Sequence, residues 1–168
     1  MNTRHIRHVG LEDSVWVSAS AGTGKTHVLA DRVVQLLMGG AAPARILCLT
    51  FTKAAAAEMS NRIYRRLGSW ASANDAELQA DLRRVGYTET GIEQLEAARR
   101  LFGEVLDTPG GLRIETIHAF CDSLLSRFPL EAGISPNFKV MDETAASECL
   151  VLLSRQYYAR HIMTLIAD

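Results

Sequence analysis

The fold is decided by the stretch Ser18-Ala19-Ser20-Ala21-Gly22-Thr23-Gly24-Lys25-Thr26. The apolar run 15–17 comes directly before it and predicts a strand. Apolar residues follow at positions 29, 33, 36 and 37, the spacing of one face of a helix. A strand, a glycine-bearing loop and a helix, with Lys-Thr at the end of the loop, form the context of a phosphate-binding P-loop.

Each part of this loop suits a polyphosphate. Backbone N–H groups of the loop and of the first helical turn bond phosphate oxygens, and glycines let the backbone come close. Lys25 is expected to reach the β/γ oxygens and Thr26 to hold Mg²⁺, so both are candidate catalytic residues. Ala19 replaces the glycine of the strict pattern, and a glycine-rich turn that caps a helix by chance is the alternative. The predicted nucleotide-binding residues are Ala19, Ser20, Ala21, Gly22, Thr23, Gly24, Lys25 and Thr26.

Composition sets the broad class of protein. The chain has 168 residues, enough for one domain with a real core, and a net charge of −1. This charge excludes a uniformly basic nucleic-acid binder but allows a basic strip, because the arginines are clustered. The three cysteines have no C-x-x-C spacing, which favours reduced, buried thiols in a cytoplasmic protein over a zinc ribbon or disulfide framework. Residues 1–8 are basic, but no apolar signal-peptide segment follows.

The rest of the chain predicts an α/β fold with a parallel sheet flanked by helices. Residues 46–49 form a continuous apolar run that predicts a fully buried strand, and a helix is predicted over 53–67 with Gly68 as its stop. Residues 69–107 predict a helical insertion, with an N-cap at Asn74 or Asp75 and a helix end at Gly86. A strand is predicted over 112–117 and a short strand over 138–141, and Asp142 is a good N-cap for a last helix.

These elements predict five segments. Residues 1–13 form an N-terminal extension, and 14–68 form the first part of the P-loop core. The helical insertion covers 69–107, and the second part of the core covers 108–142. Residues 143–168 form a helix that leads toward an accessory domain.

Two further motifs narrow the class of P-loop protein. Residues 50–59, Thr-Phe-Thr-Lys-Ala-Ala-Ala-Ala-Glu-Met, resemble motif Ia of the UvrD/Rep-type superfamily 1 DNA helicases. Residues 116–121, Thr-Ile-His-Ala-Phe-Cys, resemble their next DNA-contacting motif, T-x-H-x-F. Within this family the likeness is strongest to the AddA helicase–nuclease subunits of double-strand-break repair, which are relatives of RecB. The resemblance covers about residues 14–153.

The resemblance implies a RecA-like fold and an ATP-dependent 3′–5′ helicase that uses ATP and Mg²⁺. It implies two partners, single-stranded DNA and an AddB-like subunit, together with a nuclease activity outside these residues. The hydroxyl and imidazole donors of the two motifs suit phosphate oxygens, and Phe51 either stacks on a base or packs in the core. Arg62, Arg65 and Arg66 form a candidate basic strip, while Glu58 is expected to be solvated or salt-bridged. The predicted DNA-binding residues are Thr50, Phe51, Thr52, Arg62, Thr116 and His118.

Two departures from the family pattern keep alternatives open. No glutamine precedes Gln35, although the family usually reads the adenine edge with one upstream of the loop. Asp142-Glu143 follows an apolar run and either imitates the Walker B carboxylates or starts a helix. A small P-loop kinase and a truncated nucleotide- or DNA-binding fragment are the competing functions. If the residues that complete the ATP site lie further along, this chain binds nucleotide weakly and barely hydrolyses it.

Overall fold

The computed structural model describes residues 10–18, 24–88 and 90–166. The chain divides into two compact units, one through Phe120 and one from Cys121 onward. Its elements, in chain order, are α1 (Lys25–Met38), a 3₁₀ turn (Pro43–Arg45), β1 (Leu47–Thr50), α2 (Lys53–Ser72), α3 (Asp75–Val85), α4 (Ile92–Asp107), β2 (Arg113–Thr116), α5 (Ile117–Arg127) and α6 (Glu143–Ile166).

The sheet consists of β1 and β2, which run parallel as predicted. Their register pairs Leu47 with Arg113 and Thr50 with Thr116, so both strands end at the same level. The prediction that the first of them is fully buried is wrong. Its burial alternates, because Cys48 packs against the core on one face while Leu47 and Leu49 are exposed on the other.

Two predicted strands are absent from the described part of the chain. Residues 13–18 and 138–142 have no regular secondary structure. A strand forms only where its backbone groups pair with a neighbouring strand, and the sheet of the described residues contains β1 and β2 only. Trp16, in the first of these segments, is 91% exposed.

Helices α1 to α4 share one hydrophobic core. Helix α2 continues through Gly68 to Ser72, so the predicted stop at this glycine is wrong. A Cβ at Gly68 would lie 3.7 Å from the Phe102 ring of α4, and the glycine therefore serves a close helix contact. The next turn of α2 buries Trp70 almost completely. The largest fully buried side chains are Trp70, Ile63, Leu67, Leu78, Leu82, Val34, Val85 and Val105.

The predicted ends of α3 are confirmed. Asn74 and Glu77 form a capping box, in which the Glu77 N–H donates to Asn74 Oδ1 at 2.9 Å. Gly86 ends the helix with φ of 112°, a left-handed conformation that glycine adopts readily. The segment boundaries predicted for the helical insertion remain a prediction.

In the second unit, Asp142 caps α6. Its Oδ1 accepts a hydrogen bond from the Ala145 N–H at 2.8 Å, which confirms the helix-cap interpretation of Asp142-Glu143. Among the helices of the described residues, none combines the length and the apolar character that crossing a membrane requires.

Candidate nucleotide and nucleic-acid site

The end of the glycine-bearing loop enters α1 through Gly24. This residue has φ of 84°, a left-handed conformation that a side chain would strain, and its carbonyl accepts from the His27 and Val28 N–H groups at 2.9 and 3.1 Å. Lys25 and Thr26 occupy the first turn of α1, where the helix dipole favours an anion. The predicted nucleotide-binding residues 19–23 lie outside the described residues.

The two predicted DNA motifs meet at one edge of the sheet. Thr50 and Thr116 are register partners at the carboxyl ends of β1 and β2. Phe51 is 84% exposed, so the alternative that it packs in the core is wrong. His118, in the first turn of α5, is also exposed. The edge therefore presents one ring and one imidazole to solvent.

The threonines of the two motifs hold local backbone groups. Thr52 Oγ1 accepts from the Ala55 N–H at 3.1 Å and so caps α2. The buried Thr116 accepts in the same way from the Ala119 N–H at 3.1 Å, at the start of α5. Thr50 Oγ1 donates to the Thr52 carbonyl at 3.0 Å. Since a capping hydroxyl keeps its own hydrogen, Thr52 and Thr116 retain a donor for a phosphate oxygen.

The arginines of α2 do not form one basic strip. Arg65 is exposed, and Arg62 is half-buried with its guanidinium 2.9 Å from Glu58, which confirms the predicted salt-bridged role of this carboxylate. Arg66 is only 17% exposed and pairs with Asp31 and Asp81, so its place in the predicted strip is wrong. A buried guanidinium between two carboxylates is not available to a phosphate chain.

Comparison with known sequences gives the family. Residues 2–166 match the family profile of the UvrD/REP helicase N-terminal domain. The chain belongs to this family. Its members are P-loop NTPases, and the small parallel sheet with its flanking helices is compatible with that fold.

Several curated proteins that are named as the A subunits of ATP-dependent helicase/nucleases are similar to this UvrD/REP-family chain. The protein from Desulforudis audaxviator is 37% identical over 139 residues, which cover 81% of this chain and 10% of that protein. Those from Pediococcus pentosaceus and Pelotomaculum thermopropionicum are 34% and 38% identical, over 78% and 79% of this chain and 9% of each relative. The chain thus spans about a tenth of the length of these relatives.

Arg32 is a residue of this UvrD/REP-family domain that sequence reasoning missed. From α1, its guanidinium donates to the carbonyls of Gly10, Leu11 and Asp13 at 2.7, 2.9 and 3.3 Å. It thereby ties the segment upstream of the phosphate loop to the helix downstream of it. The sequence carries no signal for this contact, because an arginine on an amphipathic helix is ordinarily a solvated residue.

A polar hub joins three helices beneath the site. It consists of Asp31 on α1, Arg66 and Trp70 on α2, and Asp81 on α3. The Trp70 Nε1–H donates to Asp81 Oδ2 at 2.6 Å, while Arg66 pairs with both carboxylates. The sequence held one signal for this hub, since Asp31 falls among the apolar residues of the buried face of α1. Buried charges of this kind are paired.

The sheet also contains a cysteine, Cys48. Burial raises the pKa of its thiol, because desolvation disfavours the thiolate. The thiolate is the nucleophilic form, so Cys48 is a poor nucleophile, in agreement with the predicted buried and inert role.

Proposed function

We propose that this chain is the N-terminal ATP-binding motor part of an ATP-dependent 3′–5′ DNA helicase or translocase of the AddA type. The larger protein acts in double-strand-break repair and recombination, and any nuclease activity resides outside these residues. The observation that carries the proposal is the register pair Thr50–Thr116, which aligns the two DNA motifs at one sheet edge. The proposed fold is the RecA-like sheet of P-loop NTPases.

The proposed nucleotide site begins at the loop 19–23 and ends in the first turn of α1. Gly24 leaves the backbone open, the Lys25 ammonium neutralises the β/γ oxygens, and the Thr26 hydroxyl is a hard oxygen ligand of the kind that Mg²⁺ prefers. Bound Mg-ATP supplies the free energy of γ-phosphate cleavage. The role of Lys25 and Thr26 is to hold this group at a helix N-terminus.

The proposed DNA site lies at the start of α2 and α5. The threonine caps orient both helix N-termini toward one edge, where backbone N–H groups and the hydroxyls of Thr50, Thr52 and Thr116 face phosphate. The exposed ring of Phe51 stacks on a base, and His118 donates to the backbone. Neither contact reads a base edge, which suits a motor that moves along any sequence.

The proposed partners are single-stranded DNA and an AddB-like subunit. The second of these is supported by the relatives' names, which make each of them one lettered subunit of a helicase/nuclease. The cytoplasm is the proposed compartment, and the free thiols of Cys48, Cys121 and Cys149 suit a reducing environment.

Two binding measurements test the proposal on the purified chain. The first follows a fluorescent ATP analogue with and without Mg²⁺, and Lys25→Ala should abolish its binding. The second follows the anisotropy of labelled oligothymidylate, where His118→Ala should weaken binding by about ten-fold, the loss of one charge-assisted hydrogen bond. Arg83→Ala, at an exposed arginine of α3, is the control for general charge effects.

Three results would contradict the proposal. If Lys25→Ala binds the analogue as tightly as the parent chain, the nucleotide site lies elsewhere. If His118→Ala and Arg83→Ala weaken DNA binding equally, the sheet edge is not the DNA site. Nucleotide binding without DNA binding, together with phosphate transfer to a small alcohol, would indicate a metabolite kinase instead.

A further inference from the structure

Arg62 joins two helices through the two ends of its guanidinium. One nitrogen, NH2, donates to Glu58 Oε1 at 2.9 Å, within α2. The other, NH1, lies 2.9 Å from Nδ1 of His27 on α1. Since a guanidinium only donates, Nδ1 is the acceptor, and the imidazole is neutral with its hydrogen on Nε2.

The His27 end of this bridge lies at the phosphate-binding turn. His27 is the residue after Thr26, and its N–H bonds the Gly24 carbonyl. The Arg62 end belongs to the helix that Thr52 caps at the predicted DNA edge. Arg62 is thus a direct contact between the turn that receives the nucleotide and the helix that carries motif Ia.

A second bridge connects the same helices one turn further along. Asp31 follows His27 by four residues, and Arg66, its partner, follows Arg62 by four. The two bridges therefore stand about 6 Å apart along neighbouring helices. The Asp31–Arg66 bridge is buried and fixed, whereas the side chains of the His27–Arg62–Glu58 bridge are accessible to solvent. The outer bridge is the one that a change in the phosphate-binding turn reaches first.

We propose that Arg62 is a positioning residue that links nucleotide binding at the first turn of α1 to single-stranded DNA binding at the start of α2. This inference rests on the proposed function. Binding at one site then changes affinity at the other, and the change is reciprocal. Arg62 thereby has a role different from the direct DNA contact that its place in a basic strip predicts.

The guanidinium shape separates the two roles. A phosphate contact needs only positive charge near the DNA, which Arg62→Lys keeps. A bridge needs two donors that reach Glu58 and His27 at once from a fixed planar fork, which an ammonium does not provide. His27→Asn keeps an acceptor near the position of Nδ1, whereas His27→Leu removes it.

The test measures the dissociation constant of labelled oligothymidylate with the 168-residue chain, with and without a saturating, non-hydrolysable Mg-ATP analogue. We expect the analogue to change the constant of the parent chain by about five-fold or more. Arg62→Lys, Arg62→Met and His27→Leu should reduce this ratio to about one, with nucleotide-free DNA binding within about two-fold of the parent. His27→Asn should keep the ratio, as should Arg65→Met, the control at a neighbouring exposed arginine.

Several outcomes overturn the inference. Retention of the ratio in Arg62→Lys or in His27→Leu shows that the bridge is not the link. Weaker nucleotide-free DNA binding in Arg62→Met, with a salt slope smaller by about one, shows a direct phosphate contact. A parent chain that binds both ligands without linkage refutes this inference alone, and one that binds neither refutes the proposed function itself.

Discussion

Truncation of Phe51 should weaken DNA binding without weakening the fold. The ring is 84% exposed, so Phe51→Ala removes almost no core contact and should change the free energy of unfolding by less than about 0.5 kcal/mol. A base stacked on an aromatic ring contributes about 1–3 kcal/mol. The dissociation constant for single-stranded DNA should therefore rise by about 5- to 150-fold.

Anisotropy of labelled oligothymidylate at one fixed salt concentration measures this change, and urea denaturation followed by circular dichroism measures stability. Ile92→Ala is the matched control, because Ile92 is 77% exposed on α4, away from the sheet edge. Phe51→Tyr keeps the aromatic face and should bind nearly as the parent does. The salt slope of binding should not change in Phe51→Ala, because no charge is removed.

Two results would refute the reasoning. Equal DNA affinity in Phe51→Ala and Ile92→Ala, within about two-fold, shows that the ring makes no stacking contact. A loss of more than about 1 kcal/mol of stability in Phe51→Ala shows that the ring packs inside the protein.

Three further predictions concern the scaffold. Trp70→Ala empties a buried site and should cost about 3–5 kcal/mol in urea denaturation; a loss below about 1 kcal/mol contradicts the packing. Gly111→Ala places a Cβ at φ of 58°, 2.7 Å from the Tyr64 hydroxyl, and should lower stability by about 1–2 kcal/mol, so an unchanged melting temperature contradicts it. In iodoacetamide labelling read by mass spectrometry, exposed Cys121 should react at neutral pH, while Cys48, whose pKa burial raises, should react appreciably only as the pH approaches that raised value; equal rates at neutral pH contradict this.

Local chemistry made several features predictable from sequence. The capping box at Asn74, the glycine end of α3 and the Asp142 cap depend on a few neighbouring residues, and all three occur where predicted. The parallel pairing of β1 and β2 was also predictable, because strands of an α/β motif meet in this way.

The remaining features depend on residues far apart in the chain. Gly68 has the composition of a helix stop, but the Phe102 ring opposite it decides that α2 continues. The register of Thr50 with Thr116 joins residues from two motifs across three helices, and no spacing in the sequence reveals it. The bridge from Arg62 to His27 is equally invisible, since each side chain alone is an ordinary polar residue on a helix.

The polar hub of Asp31, Arg66, Trp70 and Asp81 limits how the helices slide. Apolar side chains can shift past one another with little loss, whereas a buried guanidinium that leaves either carboxylate strands an uncompensated charge, at a cost of about 3–5 kcal/mol. Helices α1, α2 and α3 are therefore expected to travel as one block during any working stroke. The hinges of such a stroke then fall outside this trio, in the connections that lead to the two strands.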